Sequence, residues 1–108
     1  MAIQSLTVKK ISVLNGGVEL QARLMHFELA PEGAVPTDIN LACQMAGNVS
    51  GLIGVILSGR GPVWIFGGLV HHAHATPWVV TLDPLLGAVV VESHCTYVQV
   101  GDVLVMPE

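Results

Sequence analysis

One uncharged run constrains this chain more than any other feature. GLIGVILS, residues 51 to 58, is almost continuously apolar and rich in β-branched residues, and GRGP follows it at once. Such a run reads as a central strand covered on both faces. SGRGP then reads as a turn, and Pro62 is the preferred residue type for a helix's first position, which predicts a helix from Pro62 to His74. Gly67 and Gly68 weaken that helix, and such a pair often marks close approach of helix to sheet. WVVTL, 78 to 82, is a second buried strand. Strand, helix and strand make a βαβ unit over 51 to 82, and a unit of that kind requires a layered α/β domain.

The flanking segments fit around it. Residues 6 to 14 and 18 to 29 read as two strands joined by Asn15-Gly16-Gly17, a strong hairpin signal because the tight turn needs φ > 0. Within 18 to 29 the apolar phase shifts from Val18, Leu20, Ala22 and Leu24 to Met25, Phe27 and Leu29, and the first strand shifts near Lys9 and Lys10. Two matching shifts predict a bulge or sharp twist. APEGAVPT, 30 to 37, is a loop; Thr37 or Asp38 then caps a short helix with the face Ile39, Ala42, Cys43 and Ala46, ended by Gly47. After the turn DPLLG, AVVVES at 88 to 93 returns antiparallel, and GDVLVM at 101 to 106 supplies a turn and a final strand. The expected order is β-β-α-β-α-β-β-β in one domain spanning 1 to 108.

Composition narrows the function. With 52% hydrophobic and 11% charged residues, disorder is excluded and much of the surface is expected to be covered by another subunit, making a homo-oligomer the default. The net charge of −4 argues against sequence-blind duplex DNA binding, yet leaves room for a small phosphate-bearing ligand held by backbone N–H groups and one or two arginines. The uncharged apolar run 49 to 58 is far short of the ~20 residues of a membrane helix, and residues 1 to 15 carry no signal-peptide pattern. A cytoplasmic protein without a membrane partner is expected. Cys43 and Cys95 lack metal-finger spacing and read as reduced thiols.

Ligands of open α/β sheets bind beyond the carboxyl ends of the strands. SGRGP lies there: Gly59 and Gly61 let backbone approach a ligand, Pro62 opens the helix, Arg60 adds a charged fork and Ser58 a hydroxyl. An ordinary strand-to-helix turn has the same spacing. HHAH, 71 to 74, ends the helix; His71 and His74 share a face, a spacing that suits two ligands of one metal or a base with its orienting partner, while His72 points elsewhere. Dipole stabilisation at a helix end accounts for them equally. Asp83 is either an acid at the ligand edge or the first residue of a turn. His26 and His94 read as ordinary strand residues, and Trp64 and Trp78 as core. A 13-residue helix is about 19 Å long and the next strand about 17 to 20 Å. Arg60 and Asp83 therefore share one edge of the sheet and His71 and His74 the other, so both groups reach one bond only from different subunits.

LSGRGPVW, HHAHATPWV and LDPLLGAVVVESH followed by GDVL resemble the small CRISPR-associated ring nucleases of type III systems, which degrade cyclic tetra-adenylate and are also described as manganese-dependent 3′ deadenylating exoribonucleases. The likeness covers about residues 55 to 104. It implies a compact Rossmann-like domain, distantly similar to the CARF domains that sense cyclic oligoadenylates. It also implies a homodimer, with two dimers stacking around the ring, one holding it and the other supplying catalytic groups. By position it makes His74 and Asp83 catalytic, and Ser58 and Arg60 part of the nucleotide-contacting loop. It brings in Mn²⁺, for which Asp83 and His71 are the candidate ligands, and short RNA ending in adenosines as an alternative partner. Where the family pattern resembles DPRLG, this chain has Leu85 in place of the arginine. A binding protein that senses or sequesters the ring is the alternative reading.

Overall fold

In the computed structural model, which describes residues 3–33 and 35–107, six strands form one mixed sheet with two helices. The elements are β1 (Ile3–Asn15), β2 (Val18–Leu29), α1 (Asp38–Ala46), β3 (Gly54–Gly59), α2 (Val63–His72), β4 (Trp78–Asp83), β5 (Gly87–Ser93) and β6 (Val103–Leu104). Spatial order follows chain order. β2, β3 and β4 run parallel, and the β1–β2, β4–β5 and β5–β6 pairs are antiparallel. Thus β2–α1–β3 is a second parallel crossover besides the expected β3–α2–β4.

Both helices cover one face. Ala42 of α1 and Ile65 and Leu69 of α2 pack with Met25, Phe27, Val55, Leu57 and Val79. The other face has no helix; Val13, Ala22, Ile56, Trp78, Val80, Val90, Val98 and Leu104 form a second core. That core is enclosed because the sheet curls until β1 meets the segment after β6, where Leu14 and Val105 exchange backbone hydrogen bonds of 3.1 and 2.8 Å. β3 is covered on both sides as expected, by helices on one and by the curled sheet on the other.

The two cores also explain the phase shift. The β1–β2 register runs without interruption from Ser5↔Glu28 to Asn15↔Val18, its one irregularity lying between Ile3 and Ser5. Of the bulge or sharp twist expected there, no bulge is found near Lys9 and Leu24. Leu20, Ala22 and Leu24 face the second core, whereas Met25, Phe27 and Leu29 face the helices. One regular strand thus serves two cores on opposite faces.

Boundaries differ from expectation within the central βαβ unit. Residues 51 to 53 are a bend and not strand, because Gly51 takes φ +124° and Leu52 is 92% exposed. Helix α2 begins at Val63, since Pro62 is extended (ψ 154°), and it ends at His72, about 15 Å in all. Thr37 precedes α1 without donating or accepting a cap bond; instead the Asp38 carboxylate accepts the Val35 N–H at 2.8 Å, and Gly47 ends the helix with φ +71°. Gly68 does mark a close approach, but to Ile39 of α1 and not to the sheet, while a Cβ on Gly67 would meet nothing within 4 Å.

Candidate functional site

The carboxyl ends of β2, β3 and β4 form one edge, and the β3–α2 turn stands over it. Gly59 has φ +144°, and a Cβ there would come 2.7 Å from the Phe27 carbonyl oxygen; a Cβ on Gly61 would come 2.9 Å from the Phe27 ring. Packing therefore accounts for both glycines, in keeping with the ordinary strand-to-helix turn that shares this spacing, and leaves contact with a ligand as a proposal. Held down on either side against Phe27, the turn thrusts Arg60 into solvent, and among the described residues the guanidinium has no ion-pair partner.

Arg60 lies between two cavities. One, of about 510 Å³, is on the face without helices and is lined by His26, Glu28, Ser58, Arg60, Leu82 and Pro84 among others. The second, of about 680 Å³, lies on the helix side and brings Arg60 and Asp83 to one groove with Val63, Phe66 and Val70. Gly59, Arg60, Leu82 and Pro84 line both. Pro62 lines neither as described; it acts as the residue before α2, its carbonyl accepting the Ile65 N–H at 3.1 Å.

Asp83 ends β4 and opens the following turn. Its Oδ1 accepts the N–H groups of Leu85 and Leu86, both at 2.8 Å. These bonds, that of Leu86 first and then that of Leu85, hold its carboxyl below the ordinary aspartate range. The side chain is thus a turn-former, with Oδ2 free of backbone donors among the described residues. Leu85, where the resemblance expects arginine, is 94% exposed.

The histidines occupy the opposite edge. Ala75 bridges to Ser50 near the start of β3, and His74 precedes it. The rings of His71 and His74 stack with centroids 5.4 Å apart, and His74 Nδ1 lies 2.7 Å from the His71 carbonyl oxygen. That carbonyl only accepts, so in the neutral imidazole Nδ1 carries the proton and Nε2 of exposed His74 keeps a free lone pair. His72 turns away to the Gly47 carbonyl at 2.6 Å. His94 follows Ser93, the partner of Trp78, and so sits at the same edge, engaged with Glu92 at 2.9 Å.

Asp83 and His71, the expected metal ligands, are therefore separated by the length of β4, about 17 to 20 Å. Among the described residues no group of three or more His, Cys, Asp or Glu is placed to hold a metal ion. One chain does not fit a metal between this pair.

Sequence reasoning missed His26 and Glu28. His26 pairs with Ser58 across the parallel β2–β3 register, with Nδ1 and Oγ 2.9 Å apart, and its Nε2 meets Glu28 Oε1 at 2.9 Å. The available signal was that His26 falls between buried Met25 and Phe27, and so on the opposite face. Only the register supplies its neighbour.

The model of the family described as CRISPR-associated protein (Cas_csx3) matches residues 32–105. The chain belongs to this family. The csx3 match takes in the 58-to-62 turn, His71, His74 and Asp83, while His26 and Glu28 precede it. An uncharacterized protein of Aquifex aeolicus (strain VF5) is 51% identical over 51 residues, 46% of this chain and 46% of that protein. The chain is thus matched over about half the length of that curated relative. No helix is long and apolar enough to cross a membrane among the described residues.

Proposed function

We propose that this csx3-family chain is a ring nuclease that cuts cyclic tetra-adenylate and so ends a type III CRISPR signal. The observation that carries the reading is a division of labour on one chain: a free arginine on a rigid turn at one edge, and a histidine with an unengaged Nε2 at the other.

The ring's phosphates sit against Arg60 and Ser58 of one homodimer, and His74 comes from a second dimer stacked on the first. Nε2 of His74 takes the proton of a ribose 2′-hydroxyl as its oxygen attacks the adjacent phosphorus. The bond from phosphorus to the 5′-oxygen breaks, and that oxygen takes a proton from water. The products carry a 2′,3′-cyclic phosphate and a 5′-hydroxyl. His71 holds the tautomer through its carbonyl and stacks on the ring of His74. Mn²⁺ enters this reading only if ligands come from two chains, since one chain does not bring Asp83 and His71 together. A Rossmann-like, CARF-related ancestry and a cytoplasmic location belong to the same proposal.

A second reading, a sensor or sink without turnover, is favoured by Leu85, which puts no cation in the exposed turn where the family resemblance expects one. Incubating purified protein with cyclic tetra-adenylate, with Mn²⁺ or with chelator, and resolving ring from linear products decides between them. Linear tetramer and dimer support the nuclease. A ring that stays intact but comigrates with the protein supports the sink. An intact ring that does not bind overturns both.

A further inference from the structure

The Glu28–His26–Ser58 array forms a wall of the 510 Å³ cavity beside Arg60, and its first two members lie outside the family match. We propose that these side chains and Arg60 make a proton-coupled phosphate subsite, in which the protonation of His26 decides whether Ser58 offers the ligand a hydrogen or a lone pair. The inference rests on the ring-binding reading for the identity of the ligand but not for the subsite itself.

The argument follows from counting donors. An ionised Glu28 only accepts, so Nε2 of His26 at 2.9 Å carries a hydrogen. In the neutral imidazole Nδ1 is then an acceptor and takes the Ser58 hydroxyl hydrogen at 2.9 Å. Ser58 then turns only lone pairs to the cavity, which repel a phosphate oxygen. Once His26 is protonated, Nδ1–H donates to Ser58 Oγ. The hydroxyl hydrogen is released toward the cavity, where a phosphate accepts it. One proton thus makes two changes of the same sign: it adds a positive charge and reverses the polarity of the hydroxyl.

His26 is 40% exposed on its side chain, so solvent reaches it. β1 presents uncharged Thr7 directly opposite and Lys9 two residues along. Beyond Ser58, β3 leads into Arg60, while β4 and the residue after it contribute Leu82 and Pro84. Glu28 and Arg60 balance each other in charge, so the pocket is close to neutral with neutral His26 and net positive with the imidazolium. Histidine changes charge within the range from pH 5 to 8, so anion affinity is expected to rise as pH falls through that range.

Sulfate serves as the first probe, because it does not titrate there. NMR titration of the His26 imidazole, in buffer with and without sulfate, is expected to show the midpoint moving upward with sulfate, and moving less in Ser58→Ala, which keeps the imidazolium charge but lacks the hydroxyl. The second probe is cyclic tetra-adenylate, whose phosphodiesters stay ionised, with the His74→Ala protein and chelator to prevent turnover. Affinity is expected to tighten on the order of tenfold between about pH 8 and about pH 5.5. His26→Gln, whose amide donates and accepts at every pH, should flatten that dependence while leaving the thermal midpoint close to wild type. An unmoved His26 midpoint, together with equal pH slopes with and without the His26→Gln substitution, overturns the subsite. A midpoint that moves with sulfate while no ring binds at any pH overturns the ring reading and leaves the subsite standing.

Discussion

The indole of Trp78 fills the space that a side chain at Gly54 would need. A Cβ on Gly54 would overlap Cδ2, Cε2 and Cε3 of that ring. Trp78 starts β4, is 1% exposed and is the largest fully buried side chain, so it has nowhere to retreat. Gly54→Ala is therefore expected to destabilise the fold by about 2–3 kcal/mol, as overpacked cores do. Urea denaturation followed by tryptophan fluorescence measures it. Gly67→Ala is the opposite case, an open position on α2 that should gain about 0.5–1 kcal/mol from helix propensity.

His74→Ala should abolish ring cleavage and leave ring binding largely intact, because the exposed histidine lies at the edge away from Arg60. Loss of a general base costs about 10²- to 10⁴-fold in rate. Single-turnover cleavage and equilibrium binding are measured on the same preparation. Equal loss of both would remove His74 from catalysis.

Leu85→Arg should accelerate cleavage by about tenfold or more if a cation in this turn stabilises charge on the scissile phosphate. The side chain is 94% exposed, so its replacement is expected to move stability by no more than about 0.5 kcal/mol. An unchanged rate with tighter ring binding would assign the turn to capture.

Acidification should loosen the turn after β4. The hydrogen bonds from Leu86 and Leu85 depress the Asp83 carboxyl, so its ionised form contributes stability above the ordinary aspartate range. That contribution is lost as pH falls through the depressed value. The amide of Asp83→Asn still accepts both N–H groups but does not ionise. The thermal midpoint of wild type should therefore fall further than that of Asp83→Asn between about pH 5 and about pH 2.5. Parallel curves would show that Asp83 ionisation does not contribute.

Local chemistry made much of this fold legible. Asn15-Gly16-Gly17 forms its hairpin with φ of +57° and +84° at the two glycines, and 18 to 29 is the strand that alternation indicated. The stacked pair His71 and His74 follows from spacing alone. The parallel pairing of β2 with β3 was not legible, because it joins residues about 32 positions apart that share no pattern; with it went the contact of His26 with Ser58. The second core was read as a bulge or sharp twist, since two buried faces on one strand and an inserted residue leave the same trace in a period-two pattern. The packing of the SGRGP glycines on Phe27 was not legible either, because that ring lies on another strand.

The meeting of Leu14 with Val105 bears on how copies of this chain associate. Sheet proteins aggregate when bare strand edges zip together. Here the hairpin end of β1 is already bonded to the chain's own C-terminal segment, and farther along the strand Lys9 and Lys10 stand exposed. Continuous strand-on-strand growth is thereby discouraged along that border. Any association of copies at that border would fall to side-chain surfaces, which come apart and reassemble without unzipping backbone.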